Sequence, residues 1–292
     1  MLQEYLIPKS TSEVLELLAS HKGKARIIAG GTDLVLQMEA GQYLPEALVD
    51  VSSLLELCRI DQDERYTYIG AAVKHAELAA SPLVNKTARC LALAAGEVGS
   101  SQVRNAGTVG GNVVNAQPAA DTALALTALN AEAEIISTTG TIWQPVSQLY
   151  EKPGVSKVDS SAQLVRRFRF LTPGSTSVSS YRRVGKCKSI ALPVLCAAVM
   201  LNLENGVVKE ASIVLGPVAP APMHAEQAEE YLTGKQPSMD VIRETACLAQ
   251  SEARPRDSLL RCSRMYRESL AGVLVENTLL DAIQVFAERL AQ

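Results

Sequence analysis

Two glycine-rich stretches within the first 112 residues constrain this chain more than any other feature. The first is Ala29-Gly30-Gly31-Thr32-Asp33-Leu34, and the second is Gly107-Thr108-Val109-Gly110-Gly111-Asn112. Glycine has no Cβ, so it leaves backbone N–H groups uncovered and tolerates positive φ. Successive N–H groups in such a turn form a concave seat for phosphate oxygens. A helix beginning at the loop adds its dipole. Two such loops in one chain read as a paired backbone cradle for a large anionic cofactor. Two purely structural turns are the alternative. Neither loop is G-x-G-x-x-G, and no G-x-x-x-x-G-K-[ST] occurs, which argues against Rossmann and P-loop sites. Thr32 and Asp33 end the first loop, while Thr108 and Asn112 flank the second. Thr and Asn side chains can donate to phosphate or ring carbonyl oxygens. Asp121 opens the next helical pattern. It could accept from ribose hydroxyls, but an N-cap is the commoner role for an aspartate there.

The chain has 292 residues, enough to bury roughly 75% of its unfolded surface in one large domain or two smaller ones. Twenty-eight basic and 31 acidic residues leave a formal charge of -3, so there is no electrostatic case for a nucleic-acid partner. The N-terminus lacks a basic stretch followed by an apolar run. The longest apolar run, 190–201, is interrupted by Pro193 and is too short for a bilayer, which needs about 20 residues. The expectation is a soluble, cytoplasmic protein with no membrane partner. Six cysteines show no C-x-x-C spacing. Incidental thiols in a reducing compartment are expected, with no metal or iron–sulfur site.

Local patterns suggest the element order. Ser10-Thr11-Ser12-Glu13 reads as a capping box, followed by a helix-spaced stripe of Val14, Leu15, Leu17 and Leu18. Strands are expected at 25–29, 47–51, 66–69, 132–137 and 164–170, and helices at 76–80, 86–98 and 121–130. The linker Leu171-Thr172-Pro173-Gly174-Ser175-Thr176 sets the main boundary, giving domains 1–174 and 175–292. A subdivision of the first domain is expected near 55–65. Beyond the linker, 190–203 and 207–215 read as strands joined at an Asn205-Gly206 turn. Helices follow at 240–252 and 263–290.

Several motifs, taken in order, give the chain a family resemblance. They are Ile27 to Leu34; Ile69-Gly70-Ala71; Gln102-Val103-Arg104-Asn105-Ala106 leading into the second glycine loop; and Pro118, Asp121, Leu129 and Ala131. In the last third come Gly216-Pro217-Val218-Ala219-Pro220-Ala221-Pro222 and Arg261-Cys262-Ser263-Arg264-Met265-Tyr266-Arg267. Together they resemble the FAD-binding medium subunit of the molybdenum hydroxylases, the xanthine dehydrogenase and carbon monoxide dehydrogenase family. The resemblance covers nearly the whole chain, and the stretch from Gln102 to Asn112 is its most specific part.

That resemblance implies an α+β fold. A two-subdomain FAD-binding domain of the vanillyl-alcohol-oxidase (PCMH) type would precede a small α+β domain with a short antiparallel sheet and helices. It implies one noncovalent FAD. Ile28, Ala29, Gly30, Gly31, Thr32, Asp33 and Leu34 would hold the pyrophosphate and neighbouring groups together with Thr108, Gly111 and Asn112. Ile69 and Ala71 would form a strand end near the flavin, and Leu164 would pack near its ring. Asp121 would bind the adenosine ribose or an adjacent group. Arg183, with Arg182 as the alternative, would face the pyrimidine end of the isoalloxazine. The implied function is electron transfer. A molybdenum-cofactor large subunit would oxidise substrate, a [2Fe–2S] small subunit would pass electrons on, and FAD here would deliver them to NAD⁺ or another acceptor. An FAD-free scaffold subunit and a stand-alone flavin oxidoreductase are the alternatives. No catalytic acid–base pair, nucleophile or metal ligand set stands out in this chain. Ser189 departs from a family aspartate, Ala162-Gln163 from an acidic pair, and His224 from a frequent arginine. His21, His75 and His224 all lie outside the glycine loops, which argues against covalent flavin.

Overall fold

The computed structural model describes residues 2–186, 192–259 and 262–290. Lys188, Ser189, Ile190 and Arg261 lie outside them. The chain opens with β1 (Glu4–Leu6), α1 (Thr11–Ser20), β2 (Ala25–Ile28), α2 (Leu34–Glu39) and β3 (Ala47–Asp50). These strands form a parallel sheet in the order β1-β3-β2. The expected cap forms: Ser10 Oγ accepts from Glu13 N at 3.2 Å. The Glu13 carboxylate reaches one residue further back than a capping box requires, accepting from Lys9 N at 2.7 Å. Val14 and Leu18 of α1 are fully buried against Ala25, Ala47 and Val49.

The second unit comprises β4 (Ile60–Gln62), β5 (Tyr66–Gly70), α3 (His75–Ala80), α4 (Pro82–Thr87), α5 (Arg89–Glu97), α6 (Ser101–Ala106), α7 (Val109–Val114), α8 (Asp121–Ala128), β6 (Glu132–Ser137), β7 (Gly140–Pro145), β8 (Tyr150–Lys152), β9 (Val155–Ser156) and β10 (Gln163–Leu171). Five of its strands make an antiparallel sheet in the order β4-β5-β10-β6-β7. One face of that sheet packs Ile69, Phe168, Phe170 and Ile135 against Leu91, Leu124 and Leu126 of the helices. The helix expected over 86–98 is two helices, broken at Ala88 (φ -138°, ψ 60°). Strand β7 was not expected.

The linker leads to β11 (Ser177–Gly185), β12 (Pro193–Glu204), β13 (Val207–Gly216), β14 (Met223–His224), α9 (Glu226–Leu232), α10 (Met239–Glu252) and α11 (Arg264–Leu290). The strands form an antiparallel sheet in that order. Asn205 (φ 52°) and Gly206 (φ 76°) make the left-handed turn between β12 and β13 that their sequence calls for. Both faces of β12 are covered. Leu195, Ala197, Val199 and Leu201 pack under α10 and α11, while Cys196 and Ala198 join the core of the second unit. Burial on both sides explains the apolar run over 194–201. Helix α11 is long and apolar enough, at a mean hydropathy of 1.4, to cross a membrane by length and composition alone. Charged and polar residues such as Arg267, Glu268, Glu276 and Asp281 interrupt it, so it carries no unbroken apolar run. Here Ala271, Leu274, Val275, Leu279 and Ala282 of α11 pack into the core over β12.

Candidate cofactor site

The two glycine loops touch. A Cβ on Gly30 would lie 2.1 Å from the carbonyl oxygen of Ala106, at the end of α6. A Cβ on Gly107 would lie 3.0 Å from Val103 O and 3.5 Å from Thr32 Oγ1. A Cβ on Gly110 would come within 2.7 Å of Ala71 Cβ and O. These three glycines therefore admit neighbouring backbone, not only ligand. Gly31 is required by conformation, at φ 67°.

The loops differ in what they leave open. Val109 N donates to Val73 O, Gly110 N to Ala71 O, Asn112 N to Thr108 O and Gly111 N to Thr108 Oγ1. Those four N–H groups are spent inside the protein. Among the described residues, the N–H groups of Gly30, Gly31, Thr32 and Asp33 reach no protein acceptor. The open row of donors is in the first loop. Asn112 is also committed in part: its Oδ1 accepts from Thr122 Oγ1 at 2.7 Å and Ala123 N at 3.3 Å, tying the second loop to α8.

Both loops line one cavity of about 500 Å³ between the parallel sheet and the antiparallel sheet. It brings together Ile28, Ala29, Gly30, Gly31, Thr32, Asp33, Leu34, Ala71, Thr108, Gly111, Asn112 and Leu164. Sequence reasoning missed several further walls. Arg26 stacks 3.6 Å over the ring of Tyr43, and Gln37 Nε2 donates to Asn115 Oδ1 at 3.1 Å. Residues 154–160 close one side, held by Ile27 N donating to Ser160 O at 3.1 Å. His75 closes another. Its burial pushes the imidazole pKa down to about 4, and Arg104 adds to that shift. No sequence pattern singles out these residues, because their contacts join distant segments.

Three expected residues are not brought into the cavity. Ile69 is fully buried in the core of the antiparallel sheet. Asp121 is neither exposed to the cavity nor a cap: the N-cap of α8 is Ala120. The residue is 6% exposed. It accepts from Tyr181 Oη at 2.5 Å and from Arg183 Nη1 at 3.3 Å. Burial raises the Asp121 pKa, and Arg183 opposes that rise. Arg183 also donates to Glu97 O at 2.6 Å and lines a separate, smaller cavity beside α11. The alternative, Arg182, pairs with Asp281 on α11. The partners of Asp121 come from β11, which the sequence did not reveal as a strand. His224, expected to stand in for an arginine, pairs with Glu229 at 2.8 Å.

Comparison with known proteins decides what kind of cradle this is. Residues 1–170 match the FAD binding domain in molybdopterin dehydrogenase, and residues 180–282 match the CO dehydrogenase flavoprotein C-terminal domain. The chain belongs to the FAD-binding flavoprotein subunits of the molybdopterin dehydrogenases. The nicotinate dehydrogenase FAD-subunit of Eubacterium barkeri is 30% identical, over 92% of this chain and 93% of that one. Carbon monoxide dehydrogenase from Hydrogenophaga pseudoflava, solved in a form lacking the Mo-pyranopterin moiety, superposes with a TM-score of 0.90 at 26% identity, covering 97% of this chain and 98% of that one. Quinoline 2-oxidoreductase from Pseudomonas putida 86 gives 0.89 at 26% identity, with 98% coverage of both chains. This flavoprotein subunit is thus part of an oxidoreductase family.

Two observations test whether the cavity fits FAD. The open N–H row suits a pyrophosphate, since such donors favour anionic oxygens. The flanking Leu164, Ala71 and Val51 supply apolar wall for a ring system. The site fits.

Proposed function

We propose that this chain is the electron-transfer subunit of a molybdenum-containing dehydrogenase complex. Its partners would be a molybdenum-cofactor large subunit and a [2Fe–2S] small subunit, and its acceptor NAD⁺ or another oxidant. FAD supplies the redox chemistry when bound, and the protein supplies position and electrostatics. In this reading Gly30, Gly31, Thr32 and Asp33 offer N–H groups to the pyrophosphate. Thr108, Gly111 and Asn112 set the position of the facing loop. Leu164 and Ala71 shield the ring from water. We assign 1–174 to the cofactor domain and 175–292 to a domain that covers it. Five described cysteines are free, which suits a reducing cytoplasm.

The observation that carries the reading is the row of unpaired N–H groups at the cavity wall. The test is spectroscopic. The purified chain should carry stoichiometric FAD, released by heat. In the assembled complex that FAD should bleach on adding the complex's substrate and recover on adding NAD⁺. A chain that takes up no FAD would overturn the reading. Flavin that bleaches but ignores NAD⁺ would remove NAD⁺ as acceptor.

A further inference from the structure

One side of the cavity is a strap, a hairpin that crosses from the wall of one glycine loop to the wall of the other. Strands β8 and β9 pair Tyr150 with Ser156 and Lys152 with Val155, and Gly154 at the turn is left-handed, at φ 77°. Glu151 and residues 154–160 line the cavity. Beyond the hairpin, Ser160 O accepts from Ile27 N at 3.1 Å, on the strand β2 that runs into the first loop. At the tip, Gly154 N donates to Ala116 O at 2.9 Å, just past α7, the helix that starts in the second loop. The two walls are thereby tied across the cavity.

The two ends of the strap are held unequally. Leu149, Tyr150 and Val158 are buried at its base. Lys157 N and Ser156 Oγ both donate to Leu149 O, at 2.8 and 3.2 Å, and Asp159 Oδ1 accepts from Ser161 N and Oγ. By contrast, no residue from 151 to 157 is buried. Apart from the hairpin and its base, the Gly154–Ala116 bond is the one hydrogen bond joining this stretch to the rest of the described residues. A stretch with few buried contacts opens locally at small free-energy cost. The acceptor of that bond is also strained: Ala116 is a fully buried non-glycine residue at φ 49°. Strain of this kind gathers at clamps and switches, and only its surroundings hold it.

We propose that residues 151–157 form a gate for cofactor exchange. The tip unlatches from Ala116, the stretch swings on its buried base, and FAD enters or leaves between walls no longer tied at that end. Relatching encloses it. The latch joins protein atoms only and is the same in the empty and the loaded chain. It therefore sets the rates of exchange and not the affinity. The inference rests on the FAD reading above and adds a conformational step to it.

The test uses the full chain, stripped of flavin and mixed rapidly with FAD, with binding read by flavin fluorescence. Release is followed from the loaded chain, with an excess of a second apoflavoprotein to capture free FAD. Gly154→Ala strains the tip in its latched turn, and the added Cβ would lie 3.1 Å from Gln117 Nε2. Association and release should both speed up roughly fivefold to tenfold, with Kd unchanged within about twofold. Pro153→Gly loosens the same tip without adding a side chain and should move both rates the same way. Gly206→Ala, at φ 76° in open space, carries equal backbone strain away from the cavity and should leave both rates alone. Faster release with unchanged association would overturn the proposal and make the tip a ligand contact. Rates unchanged in both tip variants, or raised equally by Gly206→Ala, would overturn it as well. A wild-type chain that binds no FAD would instead defeat the underlying reading, and this inference with it.

Discussion

Gly30 holds the two glycine loops together at the scale of a single atom. A methyl group there meets the Ala106 carbonyl at 2.1 Å, and backbone cannot swing aside as a side chain can. Gly30→Ala should cost about 3 kcal/mol or more, the upper range for overpacking. It should also lower the FAD content of the purified chain. Gly206→Ala is the control, since open space surrounds it and only its φ of 76° is strained. That change should cost about 1 kcal/mol and leave FAD content alone. Thermal melts with flavin quantification separate the two. His75 carries a second consequence. Its pKa falls from the ordinary 6.5 to about 4, so the folded state resists protonation there. The unfolded chain then binds the proton more readily as pH drops. Stability from this group is fully present above 6.5 and is lost as pH falls toward 4. The loss amounts to about 3 kcal/mol. His75→Gln should flatten that part of the pH–stability curve. Urea unfolding of both proteins at about pH 7 and about pH 4.5 measures the difference; parallel curves would refute it.

At the scale of elements, β10 organises the antiparallel sheet. Its alternation places Phe168 and Phe170 in the core and Arg167 and Arg169 on the outer face. Arg169 lies 3.8 Å over the Trp143 ring and 4.7 Å over Tyr66, and its Nε donates to Glu132 at 2.8 Å. Arg167 repeats the pattern with Tyr68 and Glu134. Cross-strand pairs of this kind pin register and hold the edge strand β7. Trp143→Ala should cost about 1–2 kcal/mol, and FAD affinity should not change, because the ladder lies outside the cavity. A fall in FAD affinity would contradict that separation. The same elements show what a sequence can reveal. Strands β12 and β13 were legible because Asn205-Gly206 marks the turn between two apolar runs. The glycine loops were legible because no other residue fits Gly30 or Gly31. The helix break at Ala88 was hidden, since Ala88 is as good a helix former as its neighbours. Strand β11 was hidden because its serines look solvated. In fact Ser179 is buried, and its Oγ accepts from Cys90 N at 3.1 Å, a partner 89 residues away. The donors to Asp121, Tyr181 and Arg183, arrive with that unseen strand.

At the scale of the molecule, the two sequence matches do not correspond to two separate cores. Tyr181, Cys196, Ala198 and Val214 of the last sheet share one buried cluster with Leu91, Leu124 and Phe168. Arg289, near the end of α11, donates to Ser177 O and to Lys86 O, spanning both halves. The buried carboxylate of Asp121 is the polar centre of this junction. A carboxylate there is tolerable only while its donors hold it. Tyr181→Phe removes one of them. It should destabilise the chain by about 2 kcal/mol near neutral pH. The same substitution should raise the Asp121 pKa further, because an acceptor bond to the charged form is lost. The penalty should therefore shrink as pH falls and Asp121 becomes protonated in both proteins. Because the core is continuous across the junction, flavin release and loss of the far-ultraviolet circular dichroism signal should still coincide during a melt of the variant. Flavin leaving well before the secondary structure melts would mean that the cofactor domain opens on its own. The junction would then be a hinge.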